Sequence, residues 1–184
     1  FGAIEALLAD PRVRARWQAS CRHLLVDEFQ DLTPAYLLLI RLLASPGLDV
    51  FGVGDDDQVI YGYAGADPGY LIEFDRLFPG AGHHALEVNY RCPRPVVEAA
   101  SLLLGYNRRR IEKTITPRRI GDAGLEVRLV EAAGSAGLVV STCDEWVAEG
   151  ATLDDVVVLC RVNSALLPVH AALVDAATPL RSPI

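Results

Sequence analysis

Two short apolar runs in this chain each end in carboxylates. Leu24-Leu25-Val26 runs into Asp27-Glu28-Phe29-Gln30-Asp31, and Val50-Phe51-Gly52-Val53-Gly54 runs into Asp55-Asp56-Asp57-Gln58. Between them, Thr33-Pro34 reads as an N-cap and first-turn proline for a helix over residues 35–44, which Ser45-Pro46-Gly47 ends. That helix is apolar nearly all round, which predicts packing on more than one side. Strand, helix and strand at this spacing predict a parallel βαβ unit with both strand ends loaded along one edge. In open α/β sheets, ligands bind at the carboxyl ends of the strands. An Asp there suits Mg²⁺, a hard cation that takes one or two protein carboxylates beside phosphate oxygens. A neighbouring Glu suits the orientation or deprotonation of a water. The competing reading is a strand that stops at a polar loop. Gathering Asp27, Glu28, Asp55, Asp56 and Asp57 on one edge requires a cation or an Arg nearby, because the carboxylates repel one another.

The bulk properties bound the rest. A chain of 184 residues holds one or two domains with a real core, and 51% hydrophobic with 22% charged residues is a globular composition. The net charge of −7 gives no whole-chain attraction to nucleic acid, although a local stripe can act inside an acidic chain. The longest apolar run, residues 35–40, is far too short for a membrane span. Cys21, Cys92, Cys143 and Cys160 are irregularly spaced and form no ligand pattern with His23, His83, His84 and His170, so reduced structural thiols in a cytoplasmic protein are expected. The opening residues do not read as a secretory signal, so none is expected, and the chain, which contains no Met, reads as an excerpt of a longer protein. Lys113 is the only Lys among 17 basic residues, and no Gly-rich phosphate loop precedes it.

Around the central unit, helices are predicted over residues 1–8 and 12–20, the second behind Asp10-Pro11 and carrying Arg12, Arg14 and Arg16 on a solvated face. Tyr61-Gly62-Tyr63-Ala64-Gly65 interleaves aromatics with glycines. That suits either base stacking or an ordinary packed turn. A helix over 67–78 and a short strand over 84–88 lead to Asn89-Tyr90-Arg91. A helix from Arg94-Pro95 to Leu104 follows, and residues 107–119 form a basic segment that is either a solvated connector or a phosphate contact. Strands over 124–130 and 155–160, helices over 136–149 and 163–177, and the start of a strand at 180–184 predict a second α/β domain beginning near residue 90.

Three motifs now stand in fixed order. Leu24-Leu25-Val26-Asp27-Glu28-Phe29-Gln30-Asp31 resembles motif II (Walker B) of superfamily 1 DNA helicases of the UvrD/Rep type. Val53-Gly54-Asp55-Asp56-Asp57-Gln58-Val59-Ile60-Tyr61-Gly62 resembles their motif III, and Leu86-Glu87-Val88-Asn89-Tyr90-Arg91 resembles motif IV. The turn around Val158-Leu159-Cys160-Arg161-Val162-Asn163 resembles a later family segment. The resemblance implies an α/β fold of RecA-like (P-loop NTPase) type, with parallel sheets and flanking helices. Residues 1–90 would be the C-terminal part of a first motor domain and residues 91–184 the N-terminal part of a second. It implies ATP and Mg²⁺ as nucleotide and cofactor, and single-stranded DNA or duplex/single-strand junctions as partner, with repair proteins possible and no membrane. It implies 3′-to-5′ movement and work in DNA repair or recombination.

Carried over residue by residue, Asp27 would hold Mg²⁺ and Glu28 would activate the attacking water. Gln58 would contact the γ-phosphate, Tyr90 would stack on adenine, and Arg91 would act as an arginine finger. Tyr61 and Tyr63 would face DNA. A guanidinium, always charged and bidentate, fits that role for Arg91 better than an ammonium.

Two departures from the family pattern matter. Tyr63-Ala64 stands where the family has Trp-Arg, so stacking can persist while an Arg contact is lost. The phosphate loop and the late motifs lie outside these residues, so the excerpt alone is expected to hydrolyse no ATP. The rival reading is a non-hydrolysing, helicase-like scaffold that binds DNA or a partner. A Gly-x-x-x-x-Gly-Lys-Thr segment upstream of Phe1 would defeat it.

Overall fold

The computed structural model describes residues 1–119 and 124–181. Two compact units divide the chain, Phe1–Leu125 and Glu126–Ile184.

The first unit opens with α1 (Gly2–Ala9) and α2 (Pro11–Ser20). The Asp10 carboxylate caps α2 by accepting the Arg12 and Val13 N–H groups, as Asp-Pro predicts. The strand β1 (Leu24–Val26), the helix α3 (Pro34–Ala44) and the strand β2 (Val50–Gly52) form the predicted βαβ unit. β1 and β2 pair in parallel, with Leu24 opposite Val50 and Val26 opposite Gly52. Past the ladder, Val53 N–H donates to the Val26 carbonyl at 2.8 Å, and Phe29 N–H donates to the Val53 carbonyl at 2.8 Å. These two bonds carry the pairing into both acidic segments.

Phe29 is fully buried, edge-on to Phe74 at 5.0 Å and to Phe78 at 6.3 Å between ring centres, and Ile40 and Leu71 complete the core. Gly52 is small because it must be. A Cβ there would lie 2.9 Å from both Phe29 and Phe74 ring carbons. Leu71 comes from α4 (Gly69–Ile72), Phe74 from α5 (Phe74–Leu77) and Phe78 from the residue after it. One helix over 67–78 was expected, but the turn breaks at Glu73, whose φ of −105° and ψ of 31° leave the helical region. α3 buries Ile40 and Ala44 and leaves Tyr36 and Leu38 exposed. Leu37 and Ile40 join the Phe29 core while the helix also meets α1 and α2, so it packs on more than one side, as its apolar pattern predicts.

The second parallel pair is β3 (Val88–Pro93) with β4 (Thr116–Arg119), connected through α6 (Arg94–Leu104). The expected strand over 84–88 is displaced: it starts at Val88 and itself carries Asn89, Tyr90 and Arg91. β4 arises in the segment expected to be a linker, and Val88 sits opposite Thr116.

In the second unit, α7 (Ser135–Ala148) packs on α8 (Leu166–Asp175) around Cys143, Val169 and Leu173. The strands expected over 124–130 and 155–160 form no ladder among the described residues. In the later segment burial alternates all the same. Val156 and Val158 turn onto the core, while Val157 and Leu159 face out, so this segment is one-sided rather than buried on both faces. An extended segment becomes a strand only when a neighbour supplies its hydrogen bonds. The strand start expected at 180–184 lies mostly outside the described residues. No helix among the described residues is long and apolar enough to cross a membrane.

Candidate functional site

The edge formed by β1 and β2 ends in two acidic segments, and the backbone decides what each presents. After β1 the chain turns sharply at Glu28, whose φ of 50° and ψ of 46° lie in the left-handed region. A side chain such as Glu enters that region at a cost of about 1 kcal/mol. The Asp27 Oδ1 supports the turn by accepting the Glu28 N–H at 2.9 Å. Both carboxylates are exposed, whereas Phe29 and Gln30 beside them are buried. The turn thus drives the apolar ring into the core and leaves Asp27 and Glu28 at the surface of the strand end.

Gln30 ties the two strand ends together. It is 2% exposed. Its Nε2 donates to Glu28 Oε2 at 2.7 Å, and its Oε1 accepts the Asp55 N–H at 3.0 Å. Asp55 in turn accepts the Gln58 side-chain amide on Oδ2 at 2.8 Å and the Asp57 N–H on Oδ1 at 3.2 Å. Glu28, Gln30, Asp55 and Gln58 therefore form one hydrogen-bonded chain across the edge. Gly54 makes this approach feasible, because a Cβ at that position would stand 2.5 Å from Gln30 Oε1.

The cation that the acidic edge requires comes from far along the sequence. Lys113 Nζ lies 2.5 Å from Asp55 Oδ1, 2.7 Å from Asp56 Oδ1 and 3.2 Å from Asp57 Oδ2. Arg110 adds a bond to Asp57 Oδ2 at 2.8 Å, and the Ile111 N–H donates to Asp56 Oδ2 at 2.7 Å. Burial pushes the Asp55 carboxyl up, but hydrogen bonds from Lys113 and Gln58 outweigh it and hold the group below the usual Asp range. Burial alone would lower the Lys113 ammonium. The three carboxylates outweigh that and keep it above the usual Lys range. Segment 107–113 is therefore neither a solvated connector nor a bare phosphate contact at Arg110 and Lys113. It is docked on the acidic loop.

These pairings also bear on metal binding. Asp55, Asp56 and Asp57 offer oxygens within 4.8 Å of one another, but Lys113 already meets all three. Asp27 makes no ion pair among the described residues and presents a hard oxygen donor at the strand end, which fits Mg²⁺.

The remaining predicted residues sit elsewhere. Tyr61 precedes and Tyr63 lies within a single 3-10 turn over Gly62–Ala64, with ring centres 6.2 Å apart, and Tyr63 is 82% exposed. Tyr90 and Arg91 are exposed on β3, in the other sheet. There Asn89 Oδ1 accepts the N–H groups of Arg91 at 3.0 Å and Cys92 at 2.8 Å, and the register with β4 shifts between Asn89 and Pro93. Such an irregularity re-aims the side chains around it. The edge thus brings together Asp27, Glu28 and Gln58, whereas Tyr61 and Tyr63, and Tyr90 and Arg91, form separate exposed groups. Sequence reasoning placed Asp55 on the acidic edge but missed Gln30, Arg110 and Lys113 as members of this network. The available signal was the single Lys among 17 basic residues, in a chain with an acidic cluster needing a counter-charge.

A mixed α/β chain with small parallel sheets and a carboxylate-bearing strand end is compatible with an α/β helicase domain. Residues 1–79 match the UvrD/REP helicase N-terminal domain. Over 182 residues the chain is 34% identical to DNA helicase II of Escherichia coli, covering 97% of this chain and 25% of that protein. It is 35% identical over 174 residues to DNA helicase II of Haemophilus influenzae, covering 93% and 24%. It is 32% identical over 177 residues to the putative ATP-dependent DNA helicase YjcD of Bacillus subtilis, covering 95% and 23%. The chain is thus similar to UvrD/REP-type DNA helicases over part of their length. The chain spans 23% to 25% of the length of these curated relatives.

Proposed function

We propose that this chain is the central part of an ATP-dependent DNA helicase or translocase acting in DNA repair or recombination, with 3′-to-5′ movement. In this reading, residues 1–90 complete a first RecA-like motor domain and residues 91–184 begin a second. The observation that carries it is the hydrogen-bonded chain Glu28–Gln30–Asp55–Gln58, which joins a strand-end carboxylate to a Gln amide at the next strand end.

Asp27 is the residue that would hold magnesium, which when bound supplies positive charge to the nucleotide phosphates. Glu28, exposed on its left-handed turn, orients the attacking water and accepts its proton. Gln58 donates its amide toward the γ-phosphate in competition with Asp55, so the Gln58–Asp55 bond is the element that changes partner when phosphate leaves. Tyr90 stacks on the adenine, and Arg91 neutralises charge on the transferred phosphoryl group. Arg of this type contributes about 10³–10⁵ in rate in related nucleotide hydrolases. Tyr61 and Tyr63 stack on bases of single-stranded DNA.

The test is DNA-stimulated ATP hydrolysis by the complete gene product. Glu28→Gln keeps the shape and the bond to Gln30 but removes the base, and kcat is expected to fall at least about 10²-fold. Undiminished hydrolysis in that variant overturns the mechanism.

A further inference from the structure

We propose that Lys113 is a positioning residue of this site: its ammonium fixes the Asp55 carboxylate, and Asp55 aims the Gln58 amide. The inference rests on the helicase reading for its catalytic consequence, but the clasp itself stands on geometry alone.

Four observations carry it. First, the ammonium is enclosed. Lys113 is 13% exposed at its side chain, and the Asp56 and Asp57 side chains are each 2% exposed. Surface ion pairs contribute little, but an enclosed one cannot lose a partner cheaply. Second, the chemistry is specific. The chain uses Arg at every other basic position, yet the group that meets three carboxylates at once is its only Lys. A compact ammonium can serve three acceptors in different planes, whereas a guanidinium fork matches one or two coplanar pairs.

Third, the clasp is directed. Lys113 binds Asp55 Oδ1, and Gln58 Nε2 binds Oδ2 of the same carboxylate. With Oδ1 fixed, the plane of the carboxylate is fixed, and so is the direction in which Gln58 is held. Fourth, the clasp is connected. Thr116, three residues beyond Lys113, opens β4, which pairs with β3 and its Asn89, Tyr90 and Arg91. One short segment therefore joins the loop carrying Gln58 to the strand carrying Tyr90 and Arg91. Asn107 and Arg110 bind Asp57, and Arg109 binds Asp67, which spreads the attachment along the same segment.

The experiment compares Lys113→Met, which removes the charge, with Lys113→Arg, which keeps it. In the 184-residue chain, amide hydrogen exchange reads the clasp directly. Lys113→Met is expected to speed exchange at Asp55, Gln58 and Ile111 by about tenfold or more, and Lys113→Arg to restore part of the protection. In the complete gene product, Lys113→Met is expected to lower DNA-stimulated kcat by about ten- to a hundredfold, with KM for ATP changed less than about twofold and the Arg variant intermediate. Unchanged exchange in Lys113→Met overturns the clasp. Faster exchange with unchanged kcat overturns the positioning role. If the unaltered gene product hydrolyses no ATP, the helicase reading falls and the positioning role with it, while the exchange result still decides the clasp. If Lys113→Met does not fold, Asp55→Ala serves instead. It leaves Asp56 and Asp57 to Lys113 and is expected to free Gln58 and lower kcat in the same way, and no effect on either readout overturns the proposal.

Discussion

Gln30 is the residue through which the two strand ends hold each other, and replacing it by Met isolates that function. Met matches Gln closely in length and volume, so the buried space stays filled and no cavity cost enters. What is lost is a pair of hydrogen bonds, from Asp55 N–H to Oε1 and from Nε2 to Glu28 Oε2. The Asp55 N–H sits in a partly buried turn and loses its acceptor, at about 1–2 kcal/mol. Glu28 is exposed and exchanges its partner for water, so its loss adds about 0.5 kcal/mol. The sum, about 2 kcal/mol, lowers the melting temperature by about 8 °C for a unit of this size. Differential scanning calorimetry measures it, and amide exchange at Asp55 locates it. Gly54→Ala attacks the same contact from the other side, since its Cβ would displace Gln30 Oε1. Two perturbations of one bond overlap, so the double variant is expected to lose less than the sum of the singles. A Gln30→Met protein that melts within 1 °C of the parent, about the scatter of replicate melts, with unchanged exchange at Asp55, refutes the claim that Gln30 couples the edge.

Gly52→Ala is expected to destabilise the first unit by about 1–3 kcal/mol, because its Cβ meets two packed Phe rings that have no room to withdraw; urea unfolding measures it. The Lys113 clasp also predicts a pH window. Asp55, held below the usual value of 3.8, contributes stability present above that pH and lost as pH falls through its lowered pKa. Lys113, held above 10.5, contributes stability present below that pH and lost as pH rises through its raised pKa. The stability difference between the parent and Lys113→Met is therefore expected to be flat from about pH 5 to about pH 10 and to narrow on both sides. A difference that varies inside that window refutes the pairing.

What could be read from the sequence follows the range of the interactions involved. β1, α3 and β2 are set by local signals: a Thr-Pro start, a Pro-Gly stop and two apolar runs of strand length. All three formed close to their expected bounds. The Asp-Pro cap of α2 formed for the same reason. Errors appear where a partner distant in sequence decides. β4 emerged from a run of Thr, Pro and Arg with no strand periodicity because β3 lies beside it to complete its hydrogen bonds. Residues 156–159 are uniformly apolar in sequence yet alternate in burial without a ladder, since an extended backbone turns successive side chains to opposite faces whereas a ladder needs a partner. The helix expected over 67–78 broke at Glu73, which lets Phe74 and Phe78 both reach Phe29.

The site divides in the same manner. Asp27, Glu28 and Gln58 stand out because each lies in the short polar segment that follows an apolar run, so their placement needs only the strand to end. Lys113 could not be placed that way, because 56 residues separate it from Asp57. Its partner is fixed instead by a conservation of charge within the fold. Three adjacent carboxylates, two of them on nearly enclosed side chains, fold only if a cation arrives with them. In a chain of net charge −7, the basic residues within 107–119 are the densest local source of such cations. The acidic loop and the basic segment are therefore one structural unit written in two places. A substitution in either is expected to act on the Gln58 amide through the Asp55 carboxylate they share.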